Sequence, residues 1–163
     1  MAFLTIDFTI PNKICCLFLI ISFNIKDIHA QTDVLKIKNT INRMFEGMSS
    51  FDSSMVRSTF TTDFTLQSII KNNEGNTLIK TEPGQSFLNI IGTKTPGLKY
   101  DERLLSYDIN IDDDMAVVWT PYSFYLNDTF SHCGVNVFTL VKLNGVWKIM
   151  GIVDTRRKNN CVE

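Results

Sequence analysis

The segment FSHCGVNVF, residues 130–138, sets the imidazole of His132 beside the thiol of Cys133. Adjacent groups of these types suggest a cysteine nucleophile activated by its base, or two ligands of a metal. Geometry argues against the first. If 130–138 is a strand, successive side chains point to opposite faces. His132 and Cys133 then cannot approach to the roughly 3 Å that proton transfer requires. Residue supply argues against the second. The histidines are His29 and His132, and the cysteines are Cys15, Cys16, Cys133 and Cys161. His29, Cys15 and Cys16 fall in an N-terminal segment of different character, which leaves one histidine and two cysteines without CxxC or HxxxH spacing. No metal site is expected, and no cofactor is expected either.

The elements that hold these residues can be read from pattern. Thr32 and Asp33 are N-cap candidates. After them Val34, Ile37, Ile41, Met44, Phe45 and Met48 fall on one helical face. Asp52 caps a second, short helix that ends near Phe60. FTLQSIIK and TLIKT read as strands around the turn NNEGN. Pro83 opens a third helix, whose apolar side is Phe87, Leu88 and Ile91. From Leu98 onward the chain reads as long strands: LKYDERLLSYDINI, MAVVWTPYSFYL, TFSHCGVNVFTLVKL and VWKIMGIVDTRR. Asn144-Gly145 is the strongest hairpin signal, and Asn127-Asp128 is a second. Helices first and then an antiparallel meander make an α+β domain.

The two turns set a register. Counting back from Asn144-Gly145 pairs Leu143 with Val146, Phe138 with Gly151 and Asn136 with Val153, and brings His132 near Arg157. Counting from Asn127-Asp128 pairs Tyr125 with Phe130, Ser123 with His132 and Trp119 with Asn136. One face then gathers Trp119, Ser123, Tyr125, His132, Asn136, Phe138 and Val153. Aromatic rings with an imidazole and an amide are the lining of a small-molecule pocket, so Trp119, Ser123, Tyr125, His132 and Asn136 are the candidate ligand residues. The opposite face gathers Tyr122, Phe124, Cys133, Val135, Val137 and Asp154. A bulge swaps the faces beyond it. In the same register Cys133 lies near Arg156, only five residues before Cys161. Two outcomes are open: a Cys133–Cys161 disulfide, or a buried thiol and a separate free one.

The chain has 163 residues, the size of a single domain. Lys plus Arg number 16 against 17 Asp plus Glu, a balance that gives no footing for nucleic acid. Residues 1–30 differ from the rest. Lys13 precedes ICCLFLIISF, a run of ten uncharged residues, and Ala30 follows shortly after. This pattern predicts a signal peptide cut before Gln31, with residues 31–163 as the domain. The run is short for a membrane span. The expected address is periplasmic or extracellular, without membrane association once the signal is gone.

MFEGMSSFDSSMVRSTFTTDFTLQS, VVWTPYSFYLNDTFSHCGVNVFTLVKLNGVWKI and DTRR resemble the nuclear-transport-factor-2-like (NTF2-like, SnoaL-like) superfamily. More closely, they resemble exported bacterial proteins labelled lumazine-binding or NTF2-like. The resemblance covers residues 33 to about 161. It implies a cone-shaped α+β fold, with N-terminal helices packed on a strongly curved antiparallel sheet, a pocket between them, and frequent dimerisation through the sheet. Tyr122, Phe124, Val135 and Val137 give the outer face assigned above an apolar surface suited to a homodimer. The fold carries isomerases, dehydratases, cyclases and non-catalytic modules, so function must come from the site. Two readings follow. The first is an exported binding or assembly domain that takes a small apolar or aromatic ligand without catalysis. The alternative is a SnoaL- or ketosteroid-isomerase-like enzyme acting on a small carbonyl compound. Asp63 or Asp154 would then be the acid/base, with His132, Tyr122 or Tyr125 as donor. Helix one lacks the tyrosine that such isomerases use.

Overall fold

A computed structural model describes residues 25–93 and 95–161. The expected signal segment, with its apolar run at 14–23, lies outside the described residues up to residue 24.

Two helices open the fold, α1 (Ile25–Ser50) and α2 (Ser53–Thr59). Helix α1 runs unbroken through Ala30 and Gln31, so Thr32 and Asp33 lie inside it and do not start it. Asp33 instead ties the helix to the sheet. Its carboxylate accepts hydrogen bonds from Lys142 Nζ at 2.9 Å and from the Trp147 indole at 3.1 Å. Ile37, Ile41 and Met44 form the buried stripe of α1, as their spacing predicts. Asp52 caps α2 through the Met55 amide at 2.8 Å, satisfying a donor that a helix start leaves unpaired.

Strands β1 (Phe60–Lys71) and β2 (Thr77–Pro83) form a hairpin, and α3 (Gly84–Gly92) follows directly, with Pro83 as its N-cap residue. The region read as one strand from Leu98 divides into β3 (Tyr100–Leu104) and β4 (Asp108–Asp112). Both pair antiparallel with β5 (Met115–Leu126). β6 (Thr129–Leu143) and β7 (Val146–Thr155) complete the sheet, in the order β2-β1-β7-β6-β5-β3. β1 runs parallel to β7, and the other named pairs are antiparallel.

Both expected turns are present, with Asn127, Asp128, Asn144 and Gly145 all at positive φ, the conformation of a two-residue hairpin loop. Tyr125 pairs with Phe130 and Leu143 with Val146, as counted from these turns. Two bulges then shift the register. Between Phe124 and Tyr125 the partner strand carries one extra residue, Ser131, so His132 meets Phe124 and Ser123 meets Cys133. Near Thr139 the extra residue is Met150, so Phe138 meets Ile152 and Asn136 meets Asp154. Asn136 likewise meets Thr120, not Trp119, and the residue bridged to Arg157 is Cys133, not His132. Each correction is a slip of one residue, and such a slip reverses which side chains share a face.

The core lies between α1 and the inner face of the sheet. Val118, Phe138, Leu140, Trp147 and Ile149 pack there against the α1 stripe. Phe45 meets the Phe138 ring edge-on, with centroids 6.1 Å apart.

Candidate ligand pocket

Beyond this core the sheet and helices separate and enclose a cavity of about 270 Å³. Helix α1 contributes Met44, Phe45 and Met48, and α3 contributes Phe87, Ile90 and Ile91. The sheet supplies aromatic surface through Tyr100, Tyr122, Phe124 and Phe138, and all of the ionisable groups.

Polar groups converge on the sheet side. Asp154, 8% exposed, is held by three donors. Ser68 Oγ donates to Oδ1 at 2.5 Å, and Arg156 Nε donates to Oδ2 at 2.7 Å. The Tyr122 hydroxyl lies 3.3 Å from Oδ2 and 3.1 Å from the Thr155 carbonyl, so one proton serves two acceptors. Paired in this way, a carboxylate can stay charged out of water. Burial first, then the nearby Asp154 charge, pushes the Tyr122 hydroxyl well above the ordinary phenol range, so it stays protonated.

Glu102 is different. Its Oε1 accepts a hydrogen bond from Asn136 Nδ2 at 2.7 Å, and Asn136 is itself buried. Among the described residues no cation lies within ion-pairing distance of its carboxyl. The residue as a whole is only partly buried, but its carboxyl lies against the buried Asn136 amide in the cavity lining. Desolvation pushes its pKa up to about 7, against the lowering effect of the Asn136 hydrogen bond, with a further rise from Asp154 and a smaller lowering from the more distant Arg156 charge. His132 completes the group. Its ring meets Tyr122 edge-on at 5.7 Å and Phe124 at 5.1 Å, and Nδ1 lies 3.0 Å from Ser131 Oγ. Burial, then the charge of Arg156, holds the imidazole below its ordinary value, so it is neutral at pH 7.

No family model matches the chain, and no curated protein matches it. Solved structures do. An NTF2-like protein with a cystatin-like fold from Novosphingobium aromaticivorans superposes with a TM-score of 0.62 at 13% identity, covering 85% of this chain and 94% of its own. A protein of unknown function with a cystatin-like fold from Nostoc punctiforme gives 0.60 at 16% identity, with coverage of 78% and 93%. An NTF2-like protein of unknown function from Shewanella baltica gives 0.57 at 14%, with coverage of 78% and 96%.

The chain has the NTF2-like fold.

At such identities the likeness carries the fold alone, and the lining of this NTF2-like cavity must be read from its own residues. His132 and Asn136 line it, as the sequence suggests. Trp119, Ser123 and Tyr125 do not, because the Ser131 bulge puts them on the opposite face. Trp119 is 52% exposed there, and Tyr125 lies under the Arg103 guanidinium, 4.1 Å from its ring centroid. Tyr122, Phe124 and Asp154, assigned to the outer face by unbroken counting, point inward instead. Asp154 does pair with Arg156, with the carboxylate buried and the guanidinium half exposed. Asp63 is exposed on β1, away from the cavity.

Glu102 was missed. KYDERL falls within the segment read as a strand from Leu98, and in it Tyr100, Glu102 and Leu104 alternate on one face. A carboxylate flanked at i−2 and i+2 by large apolar residues is the available signal. Cys133 is 1% exposed, faces away from the cavity and is joined to Cys161. Of the two outcomes open from sequence, the structure has the disulfide, which leaves no thiol at this position to act as a nucleophile.

Proposed function

We propose that this NTF2-like domain binds a small molecule in the cavity and does so without catalysis. The observation that carries the reading is the convergence of polar groups, Glu102, Asn136, His132, Tyr122 and Asp154 among them, on the sheet side of a cavity whose helix side is aromatic and aliphatic, the usual composition of a ligand site. One group favours the acid/base alternative: Glu102, whose raised pKa suits a base working near neutrality. Against it, Asp154 already holds three donors, and the Tyr122 proton is engaged by Asp154 and Thr155. Thermal unfolding of the purified protein against a metabolite panel tests the reading. A binder at a hundredfold its Kd stabilises the fold by about 2.7 kcal/mol. The rise should vanish in Phe124→Lys, which puts a cation into the cavity wall across from Glu102. A panel without any binder, or one whose hits are turned over, contradicts the reading.

The proposal includes export with removal of residues 1–30. The Cys133–Cys161 bridge supports this, since disulfides persist in oxidising compartments. An intact mass that retains residues 1–30 in protein recovered from its host contradicts it. The proposal also includes a homodimer through the outer sheet face. Tyr122 and Phe124 point into the cavity, while Val135 and Val137 stay on the outer face, where Val135 is buried and Val137 half-buried beside Trp119. Met115, Val117 and Trp119 line up along β5, with Met150 exposed on β7. Sedimentation at micromolar concentration should give twice the monomer mass, and Trp119→Lys should return it to one. A wild-type protein that sediments only as a monomer rules the dimer out.

A further inference from the structure

The charges around the cavity do not cancel group by group. Resting on the binding reading above, this imbalance indicates what kind of molecule fits. Arg156 is engaged by Asp154 at 2.7 Å. Lys80 and Glu82, of opposite charge, both line the cavity from strand β2, where Lys80 is exposed to solvent. His132 is neutral. That leaves the Glu102 carboxyl with a single amide donor and, among the described residues, no cation in contact. Aromatic rings surround it. Phe124 is its cross-strand partner, Tyr100 flanks it on β3, and the Tyr100 and Phe124 rings lie 6.1 Å apart. A carboxylate lacking a counter-ion within a group of aromatic rings provides both attractions that a desolvated cation needs: an ion pair and ring faces of negative potential. An anionic ligand would instead meet two carboxylates, Glu102 and Asp154, and would compete with Asp154 for the Arg156 guanidinium that pairs with it through Nε.

We propose that the cavity takes an arylalkyl amine, whose ammonium pairs with Glu102 while its ring lies among Phe45, Phe87, Phe124 and Phe138. The other groups facing Glu102 set the pH response. From the sheet these are Tyr100, Tyr122, His132, Asp154 and Arg156, with Lys80 and Glu82 at the rim. Helices α1 and α3 present only apolar side chains. Amine binding drives Glu102 to its ionised form, so a proton leaves the protein. Affinity therefore rises with pH through about 7, where free Glu102 is half protonated. His132 acts in the same direction, because its protonation at lower pH repels the amine. A carboxylic acid ligand would show the opposite sign, sharing a proton with Glu102 and binding more tightly as pH falls.

Calorimetric titration of the whole protein with benzylamine, benzyl alcohol and benzoate tests this, because the three probes share a ring and differ in charge. At pH 8 benzylamine should bind at least tenfold more tightly than benzyl alcohol, and benzoate most weakly. Between pH 8 and pH 6 the benzylamine affinity should fall about tenfold, as the ionised fraction of a group with pKa 7 falls. Its heat should vary with the buffer's ionisation enthalpy in the sense of proton release. Glu102→Gln, which keeps the side chain's size and its contact with Asn136, should abolish both the preference and the pH dependence while benzyl alcohol still binds. The proposal is overturned by equal or tighter binding of benzyl alcohol or benzoate, by proton uptake, or by an amine preference that survives in Glu102→Gln. In the first of these cases the binding reading stands and only the amine proposal falls. If none of the three probes binds at millimolar concentration, the amine proposal falls, and the metabolite panel alone decides the binding reading. Should the glutamine variant fail to fold, the wild-type rank order and the sign of its pH dependence decide.

Discussion

Replacing Gly134 by alanine is expected to destabilise the protein by about 3 kcal/mol or more, at or beyond the upper end of ordinary overpacking costs. A Cβ at this position would lie 1.7 Å from the Thr155 carbonyl oxygen and 2.9 Å from the Tyr122 ring. Neither can yield cheaply. The Thr155 carbonyl is backbone and accepts the Tyr122 hydroxyl, and the Thr155 side chain accepts the Val135 amide. Moving Thr155 also moves Asp154 and Arg156, on either side of it, so the damage extends into the polar wall of the cavity. The missing side chain at Gly134 is therefore what lets β7 cross so close to β6 beside the site. Urea unfolding of the variant against wild type measures the effect, and a loss below about 1 kcal/mol would show that the strands relax around the added methyl.

Breaking the Cys133–Cys161 bridge is expected to have a comparable effect. The two residues are 28 apart in sequence. Releasing a loop of that length from the unfolded chain lowers stability by about 3–4 kcal/mol on the chain-entropy model. The folded tail is already aligned, since Cys133 and Arg157 exchange both backbone hydrogen bonds, at 2.8 and 2.9 Å. Cys161→Ser removes the link without disturbing the buried Cys133 side, so it is the cleaner variant. Its unfolding midpoint should fall to that of the reduced wild type and should not respond further to reductant. Protein beginning at Gln31 should show no free thiol when denatured without reductant. Two free thiols, or an unchanged midpoint in Cys161→Ser, would contradict the bridge.

Local signals carried much of this architecture into the sequence. The stripe Ile37, Ile41 and Met44, the Asp52 cap and the two hairpin turns all depend on neighbours a few residues away, and each is found where its pattern puts it. The inner face of the sheet depends on a count carried across many residues, and one extra residue overturns it. No glycine or proline adjoins Ser131 to mark its bulge, whereas Gly151 directly follows Met150 and is the signal for the second one. Unbroken counting therefore puts Trp119, Ser123 and Tyr125 on the cavity side, and Tyr122, Phe124 and Asp154 on the other, the reverse of the observed faces. His132 and Asn136 kept their place because they share a strand and an even spacing, whatever the neighbouring strands do. Glu102 was hidden for a different reason. A carboxylate within an apolar lining costs free energy, and composition offers no reason to expect that cost to be borne without a paired cation.

The account turns on the inner face being the ligand-binding face. Backbone amide shifts of the labelled protein, followed while benzylamine is added, test this most directly. Saturable shifts are predicted at Glu102, Tyr122, Phe124, His132 and Asn136, with Val117 and Trp119 on the opposite face unmoved. Shifts that cluster around Trp119, or that fail to saturate anywhere, would contradict it.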